Sequence, residues 1–467
     1  MFIPLRQIPA IQKANGKMTD RANNSQRIEY RIVLIETHSM KILAIAGATG
    51  PHLLRESIPV YTRVAAALTE AINQRYGLCT VQLASLPGDE VFSYCAVLEI
   101  IGTQQAMSGG LLSVALDEIA SSELTDEERA TVLRIMKGEA SELGRFAQPG
   151  SIEKLLAKVL SHQDLCDWPI IRQLNQGTDF CLLSLSDASG RRVWFKAVGE
   201  PNTREYALTA ELARRFPAYL PKILATIPEW NGWLMEDVNG IPLNESTSMD
   251  QCERALTALA AMQRELAIDV DVLSTLGAKN WTCAQIRSHF EPFFQEALCA
   301  MEAQVSTKSK PLSGRELLQL RNQLESALDE FMNAGIPETL IHGDIGHGNI
   351  LATRGGPVFL DWAETYIGHP FLCTEHLLAD LARSNPIFAR NQAALRSHYA
   401  ALWNGYVRPT ELKKIIALAP TFGAFVYGLI AWDASRNRPD PAQAWPLIRS
   451  MLRRTRRELE HAVEVSA

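Results

Sequence analysis

Leu340-Ile-His-Gly-Asp-Ile-Gly-His-Gly-Asn-Ile-Leu351, followed a few residues on by Val358-Phe-Leu-Asp-Trp-Ala363, is the most informative stretch of this 467-residue chain. It sets Asp344, Asn349 and Asp361 on short loops between apolar, β-like runs. Phosphoryl transfer asks little covalent chemistry of a protein. It needs a carboxylate to orient the attacking group and accept its proton, and oxygen ligands for magnesium. Magnesium takes carboxylate and amide oxygens together with nucleotide phosphates, so one Asn and one Asp suit it. In that pattern Asp344 is the base, and Asn349 and Asp361 hold a metal whose charge offsets that of the phosphates.

H-G-D-x-x-x-x-N followed by [LI]-D-W resembles the catalytic loop and metal-binding aspartate of the aminoglycoside phosphotransferase and choline kinase family, relatives of the protein kinases. The resemblance implies a bilobal, protein-kinase-like fold that holds ATP or GTP with Mg2+ between its lobes. It also implies transfer of the γ-phosphate to a hydroxyl of a small molecule, such as an aminoglycoside-like antibiotic, a sugar or an amino alcohol. Upstream, Arg191-Arg-Val-Trp-Phe-Lys196 reads as a strand carrying a lysine, as the family's third strand does. The helix opening Thr203-Arg-Glu205 is similar to the family segment whose glutamate pairs with that lysine against the nucleotide phosphates. Glu211 on the same helix is the competing partner; Glu205 is preferred because Leu212 then falls seven positions later, as the family pattern has it. Trp233-Leu-Met-Glu-Asp-Val238 resembles the hinge, with Met235 as gatekeeper and backbone groups of Glu236 to Val238 reading the base. Gly177 and Thr178, in the turn before the lysine strand, are the candidates for the phosphate-covering loop.

One departure bears on the rigidity of the catalytic loop. Family members often read H-G-D-L-H-P-G-N, whereas Gly346 and His347 stand here at the last His-Pro positions. His342 is expected to order the loop by hydrogen bonding. Glu364 and Glu375 are either acceptor-facing carboxylates, suited to a cationic amine or sugar, or solvated and helix-capping groups. His369 and His376, seven apart, do not suggest a metal pair, and Arg453 to Arg457 read as a solvated helix face. The chain passes from Asp361 directly into a helical segment, which leaves little room for a protein kinase's regulatory loop. A nucleotide-binding pseudokinase or regulatory module without turnover is the alternative reading.

The rest of the chain supplies context. Residues 1–28 are polar and irregular, expected to form a flexible arm. Residues 29–150 read as a separate α+β accessory domain. Its strand candidates are Tyr30–Glu36, Lys41–Ala46, Val81–Ser85 and Tyr94–Ile101, with a helical stretch opening at Pro59 and a capping box at Thr125-Asp-Glu-Glu128. That order faintly resembles a Nudix domain, but Gln74 and Arg75 stand where the signature wants glutamates. Without those carboxylates a magnesium pyrophosphohydrolase site cannot assemble, so the resemblance implies a degenerate relative. A kinase-like N-lobe is expected over 165–238 and a helical C-lobe over 239–467, giving an α+β fold class. Hydrophobic residues make up 47% and charged residues 21%, an ordinary globular balance. The net charge of -6 argues against nucleic acid as a partner. Eight cysteines without a C-x-x-C pair suit buried thiols in a reducing cytosol. The apolar run Leu418–Trp432 is broken by Pro420 and Gly423 and is too short to span a bilayer. A cytoplasmic enzyme with a small-molecule partner and no membrane partner is therefore expected.

Overall fold

The computed structural model describes residues 27–466, apart from residues 38, 49, 61, 88–92, 103–109, 141–143, 164–169, 177–179, 247 and 437. Almost all of the expected N-terminal arm, together with Gly177 and Thr178, lies outside the described residues. The described chain forms two compact units: one runs up to Tyr206 and takes in Lys222–Asp237, the other comprises Ala207–Pro221 and Val238 onward.

In the first unit, β1 (Arg27–Glu36), β2 (Lys41–Ile45) and β3 (Leu54–Pro59) lead into α1 (Val64–Tyr76). Next come β4 (Thr80–Pro87), β5 (Ser93–Ile100), β6 (Leu111–Val114), α2 (Asp126–Met136) and α3 (Ser151–Gln163). The strands make one sheet in the order β4-β5-β1-β2-β6, with β3 also paired to β1. Pro59 does not open a helix: it ends β3 opposite Arg27, and α1 begins at Val64. The pairing of 54–59 with β1 outcompetes the helix there. In α1, Ala65, Leu68, Ile72 and Tyr76 fall on one buried face, and Gly77 stops the helix with φ 69°. Thr125 and Glu128 form the expected capping box at the start of α2.

A second sheet follows from β7 (Ile170–Gln176), β8 (Phe180–Ser186) and β9 (Arg192–Val198). After α4 (Arg204–Arg215), which crosses the division between units, β10 (Ile223–Ile227) and β11 (Gly232–Glu236) complete the order β10-β11-β9-β8-β7. The alternation of β1 serves two cores. Ile32 and Leu34 face α1 with Leu68, Ile72 and Leu98. Val33 and Ile35 join Leu83, Val97, Val132 and Leu155, and that same cluster includes Leu183, Leu185, Val193 and Phe195 of the second sheet. Residues 27–156 and the lysine-bearing sheet thus share one core.

The second unit is mainly helical. It contains β12 (Ile241–Pro242), α5 (Met249–Ala267), α6 (Val270–Thr275), β13 (Lys279–Asn280), α7 (Cys283–Ser288), α8 (Phe290–Glu302) and α9 (Gly314–Asn333). Then come β14 (Thr339–Ile341), β15 (Ile350–Thr353), β16 (Gly356–Phe359), β17 (Tyr366–Gly368), α10 (Pro370–Ser384), α11 (Pro386–Ala401), α12 (Pro409–Ser435) and α13 (Trp445–Ser466). Two small sheets, β12-β15-β16 and β13-β17-β14, frame the segment that follows β14. Ser313 and Glu316 cap α9 reciprocally, as their spacing predicts. The apolar run around 418–432 is not cut short: α12 continues through Pro420 and is long and apolar enough to cross a membrane. In this structure, however, 67% of its most apolar window is buried. Phe422, Phe425 and Leu429 lie in the core, as expected of an internal helix.

Candidate active site

The HGD loop begins where β14 ends, and β14 is held from below by a buried glutamine. Gln263 of α5 donates from Nε2 to the Leu340 carbonyl at 3.0 Å and accepts at Oε1 from the Tyr399 hydroxyl at 2.5 Å. The Thr339 hydroxyl donates to the Gln263 carbonyl at 2.5 Å. All three side chains are buried, so the satisfied network fixes this strand firmly.

Gly343 then turns the chain at φ 76°, and a Cβ there would lie 1.9 Å from the Glu364 carbonyl oxygen. Only glycine fits. Successive tight turns follow: Asp344 N–H donates to the His342 carbonyl, Gly346 N–H to that of Asp344, and Asn349 N–H to that of Gly346. Asn349 Nδ2 donates to the Asp344 carbonyl at 2.8 Å and lies 3.4 Å from Asp344 Oδ2. Leu360 N–H donates to the Asn349 carbonyl at 2.9 Å, which brings the end of β16 against the loop. His342 donates from Nε2 to the Leu360 carbonyl at 2.8 Å, with its ring 4.4 Å from that of Trp362. It orders the loop, and Trp362 is buried beside it. Asp361 adopts φ 64°, a left-handed conformation that a non-glycine residue holds only under constraint.

These turns bring Asp344, Asn349 and Asp361 together. The Asp344 carboxyl is pushed up to about 7 by burial first, then by the nearby negative charges of Asp361 and Glu364; the Asn349 hydrogen bond opposes the rise. Because Asn349 spends its amide N–H on Asp344, its Oδ1 is the atom it can offer a cation. Among the described residues no three His, Cys, Asp or Glu side chains cluster as an all-protein metal cage. The Asp361 carboxylate and the Asn349 amide oxygen are nevertheless a donor set that suits magnesium when phosphates and water complete the sphere.

Asp380 was not apparent from the sequence. It sits in α10, and its Oδ2 accepts both the backbone N–H of His347 at 2.7 Å and the imidazole Nδ1–H at 2.6 Å. Arg383 lies 3.3 Å from the other oxygen. Burial works to raise the Asp380 carboxyl, but the two His347 hydrogen bonds and the neighbouring charges hold it below its usual value. The loop that lacks the family's proline is tied down here instead. Nothing in a helical Leu-Ala-Asp-Leu sequence marks that role; only the 33-residue separation closed by the fold shows it.

Glu375 is not an acceptor-facing carboxylate. It is buried and makes a bidentate pair with Arg396, 2.8 Å at Nη2. Glu364 is half-exposed and lies 3.5 Å from Lys279 Nζ. His369 is buried and His376 half-buried.

In the first unit, Lys196 is in β9, opposite Leu182 of β8 and Trp233 of β11. Its Nζ lies 2.5 Å from Glu205 Oε1, with both side chains buried, and the rings of Phe180 and Trp233 flank the ammonium at 5.7 and 5.9 Å. Glu211 is engaged elsewhere. Hydrogen bonds from Arg214, and then from Arg215, hold its carboxyl down to about 2. Met235 is paired in register with Trp194 and Ile223, and Glu236 N–H donates to the Lys222 carbonyl at 3.0 Å. Trp194 Nε1 donates to Asp237 at 2.6 Å. Val238 opens the second unit, and its carbonyl accepts from Gly240 N–H at 2.9 Å.

No curated protein matches the chain. Among solved structures it is similar to a choline kinase from Cryptosporidium parvum, at 14% identity over 67% of this chain and 96% of that one, TM-score 0.45. It is also similar to an ethanolamine kinase from Plasmodium vivax, at 16% identity over 63% and 87%, TM-score 0.43. A type I macrolide 2'-phosphotransferase matches at 19% identity over 65% and 97%, TM-score 0.41. The β-rich N-terminal region lies outside these matches, and its likeness to a Nudix domain finds no support in them. Residues 193–409, which include Lys196, Glu205, Asp344, Asn349 and Asp361, match the model of the phosphotransferase enzyme family, and the β-rich region of residues 27–156 precedes the matched segment.

Proposed function

We propose that the protein moves the γ-phosphate of ATP or GTP to a hydroxyl of a small molecule, an aminoglycoside-like antibiotic, a sugar or an amino alcohol. Asp344 accepts the hydroxyl proton as the acceptor oxygen bonds to phosphorus, and the bond from phosphorus to the departing nucleoside diphosphate breaks. Lys196, steadied by Glu205, binds the nucleotide phosphates. Glu236 N–H is taken by Lys222, so Glu236 offers the base its carbonyl, and Val238 its N–H. Asn349 Oδ1 and the Asp361 carboxylate would hold magnesium, which when bound would neutralise charge on the phosphates. The free thiols of the described cysteines fit action in the cytoplasm.

The observation that carries this reading is the geometry of the loop: Gly343 fixes its turn, Asn349 Nδ2 donates to the Asp344 carbonyl at 2.8 Å, and Leu360 N–H donates to the Asn349 carbonyl, which sets Asp361 beside them. A carboxylate held in such a fixed place is suited to taking a proton from an alcohol in the transition state. The test is release of ADP or GDP across a panel of small alcohols, with Asp344→Asn alongside the parent. The variant should lose transfer by about 10²–10⁴-fold, the usual worth of a positioned base, while keeping nucleotide affinity. A parent that binds nucleotide with magnesium and transfers nothing across the panel would point instead to a module without turnover.

A further inference from the structure

The two sheets of the first unit are joined by more than a shared core. β4 is an edge of the N-terminal sheet and β7 an edge of the lysine-bearing sheet. Each carries a register shift, between Gln82 and Ala84 in β4 and between Gln173 and Asn175 in β7. The shifts fall where the two strands communicate. Gln173 Oε1 accepts from the backbone N–H of Gln82 at 2.7 Å, and Gln173 Nε2 donates to the Gln82 carbonyl at 3.0 Å. Gln173 and Gln82 are each only 2% exposed. One side-chain amide thus reproduces the paired N–H and C=O bonds that a neighbouring strand would make. It satisfies a buried edge that would otherwise carry an orphaned donor and acceptor.

The position of this joint matters. β7 pairs with β8 so that Asn175 lies opposite Leu182, and Leu182 lies opposite Lys196 on β9. We infer that Gln173 is a positioning residue through which the N-terminal β-rich region sets nucleotide affinity, by fixing β7 against β8 and, through β8, the strand that carries Lys196. This inference rests on the proposed nucleotide role of the second sheet. It assigns the described part of residues 27–156 a task in the reaction: it forms the wall against which the nucleotide-holding sheet keeps its register.

The experiment compares Gln173→Ala, Gln173→Glu and Gln82→Ala in the full-length chain, reading ATP affinity with magnesium by titration beside turnover. Gln173→Ala removes both bonds. Gln173→Glu keeps the shape and the bond from Gln82 N–H, but sets a carboxylate oxygen against the Gln82 carbonyl. Gln173→Glu should raise the apparent Kd and KM for ATP about fivefold and Gln173→Ala up to about thirtyfold, leaving kcat and acceptor KM near the parent values, since each neutral hydrogen bond is worth about 1 kcal/mol net. Gln82→Ala leaves the backbone partners of Gln173 in place and should leave ATP affinity unchanged, although its own side chain bonds to Ala84 and Ser85 are lost. If Gln173→Ala does not fold, the isosteric Gln173→Glu carries the test. A lowered Tm with parental ATP affinity in the Gln173 variants would overturn the inference, as would an equal loss of affinity in Gln82→Ala. A parent that binds ATP but phosphorylates nothing sinks the kinase reading and leaves this coupling measurable.

Discussion

Gly343 concentrates the geometry of the catalytic loop in one missing methyl group. Its φ of 76° and the 1.9 Å approach of a Cβ to the Glu364 carbonyl are independent reasons for glycine. Gly343→Ala therefore has to displace backbone, and a cost of about 2–5 kcal/mol is expected from strain and overpacking together. Thermal unfolding should show the loss directly, and transfer should fall more than tenfold in the fraction that remains folded. Asp380 acts at the other end of the same loop. Asp380→Asn keeps an oxygen for one His347 donor and loses the charge that serves two. Charge-assisted hydrogen bonds are worth about 1.5–3 kcal/mol, so roughly a tenfold fall in kcat is expected. The KM for nucleotide should stay near the parental value, because Lys196 and Glu205 are untouched; a rise in that KM with unchanged kcat would contradict the role given to Asp380.

Helix α12 shows what an element needs beyond its own sequence. Pro420 lacks an N–H and normally breaks a helix interior. Here the flanking Leu418, Ala419, Thr421 and Phe422 are all buried, and tertiary packing offsets the lost bond. Gly423 is present for α10: a Cβ there would lie 2.8 Å from the Cβ of Glu375, itself fixed by Arg396. Gly423→Ala should destabilise by about 1–3 kcal/mol, checked by denaturant unfolding, with no change in KM for nucleotide. A neutral substitution would mean that the α10–α12 contact gives way easily. Elements governed by local pattern could be read in advance. These include the lysine-bearing strand β9, the capping box at Thr125, and the loop from Asp344 to Asn349 with Asp361 after it. Elements governed by distant partners could not. Pro59 is claimed by pairing with β1, and Asp380 and Gln173 act on residues tens of positions away. Local propensity carries no record of such contacts.

At the scale of the whole chain, two histidines that the fold keeps uncharged contribute to the response to acid. His369 is 1% exposed, its ring lies 3.9 Å from that of Phe331, and neither ring nitrogen has a hydrogen-bond partner among the described residues. Burial lowers it to about 3, and burial likewise lowers His376 to about 4. Both values lie below the ordinary histidine value of about 6.5, so between those limits the unfolded chain binds more protons than the folded one. Stability contributed by the neutral rings is therefore complete above about pH 6.5 and declines as the pH falls towards the folded values. Integrating that difference from pH 7 to pH 5 gives a loss of about 2 kcal/mol for each ring. Other groups titrate over the same range, so the comparison that isolates one ring is the parent against His369→Phe, a substitution of similar shape that removes two unsatisfied nitrogens. At pH 7 the variant should match or exceed the parent in stability. At pH 5 its advantage should have grown by about 2 kcal/mol, read from urea unfolding at the two pH values. Parallel stability curves for the two proteins across that range would show that His369 takes up its proton in the folded state as readily as in the unfolded one.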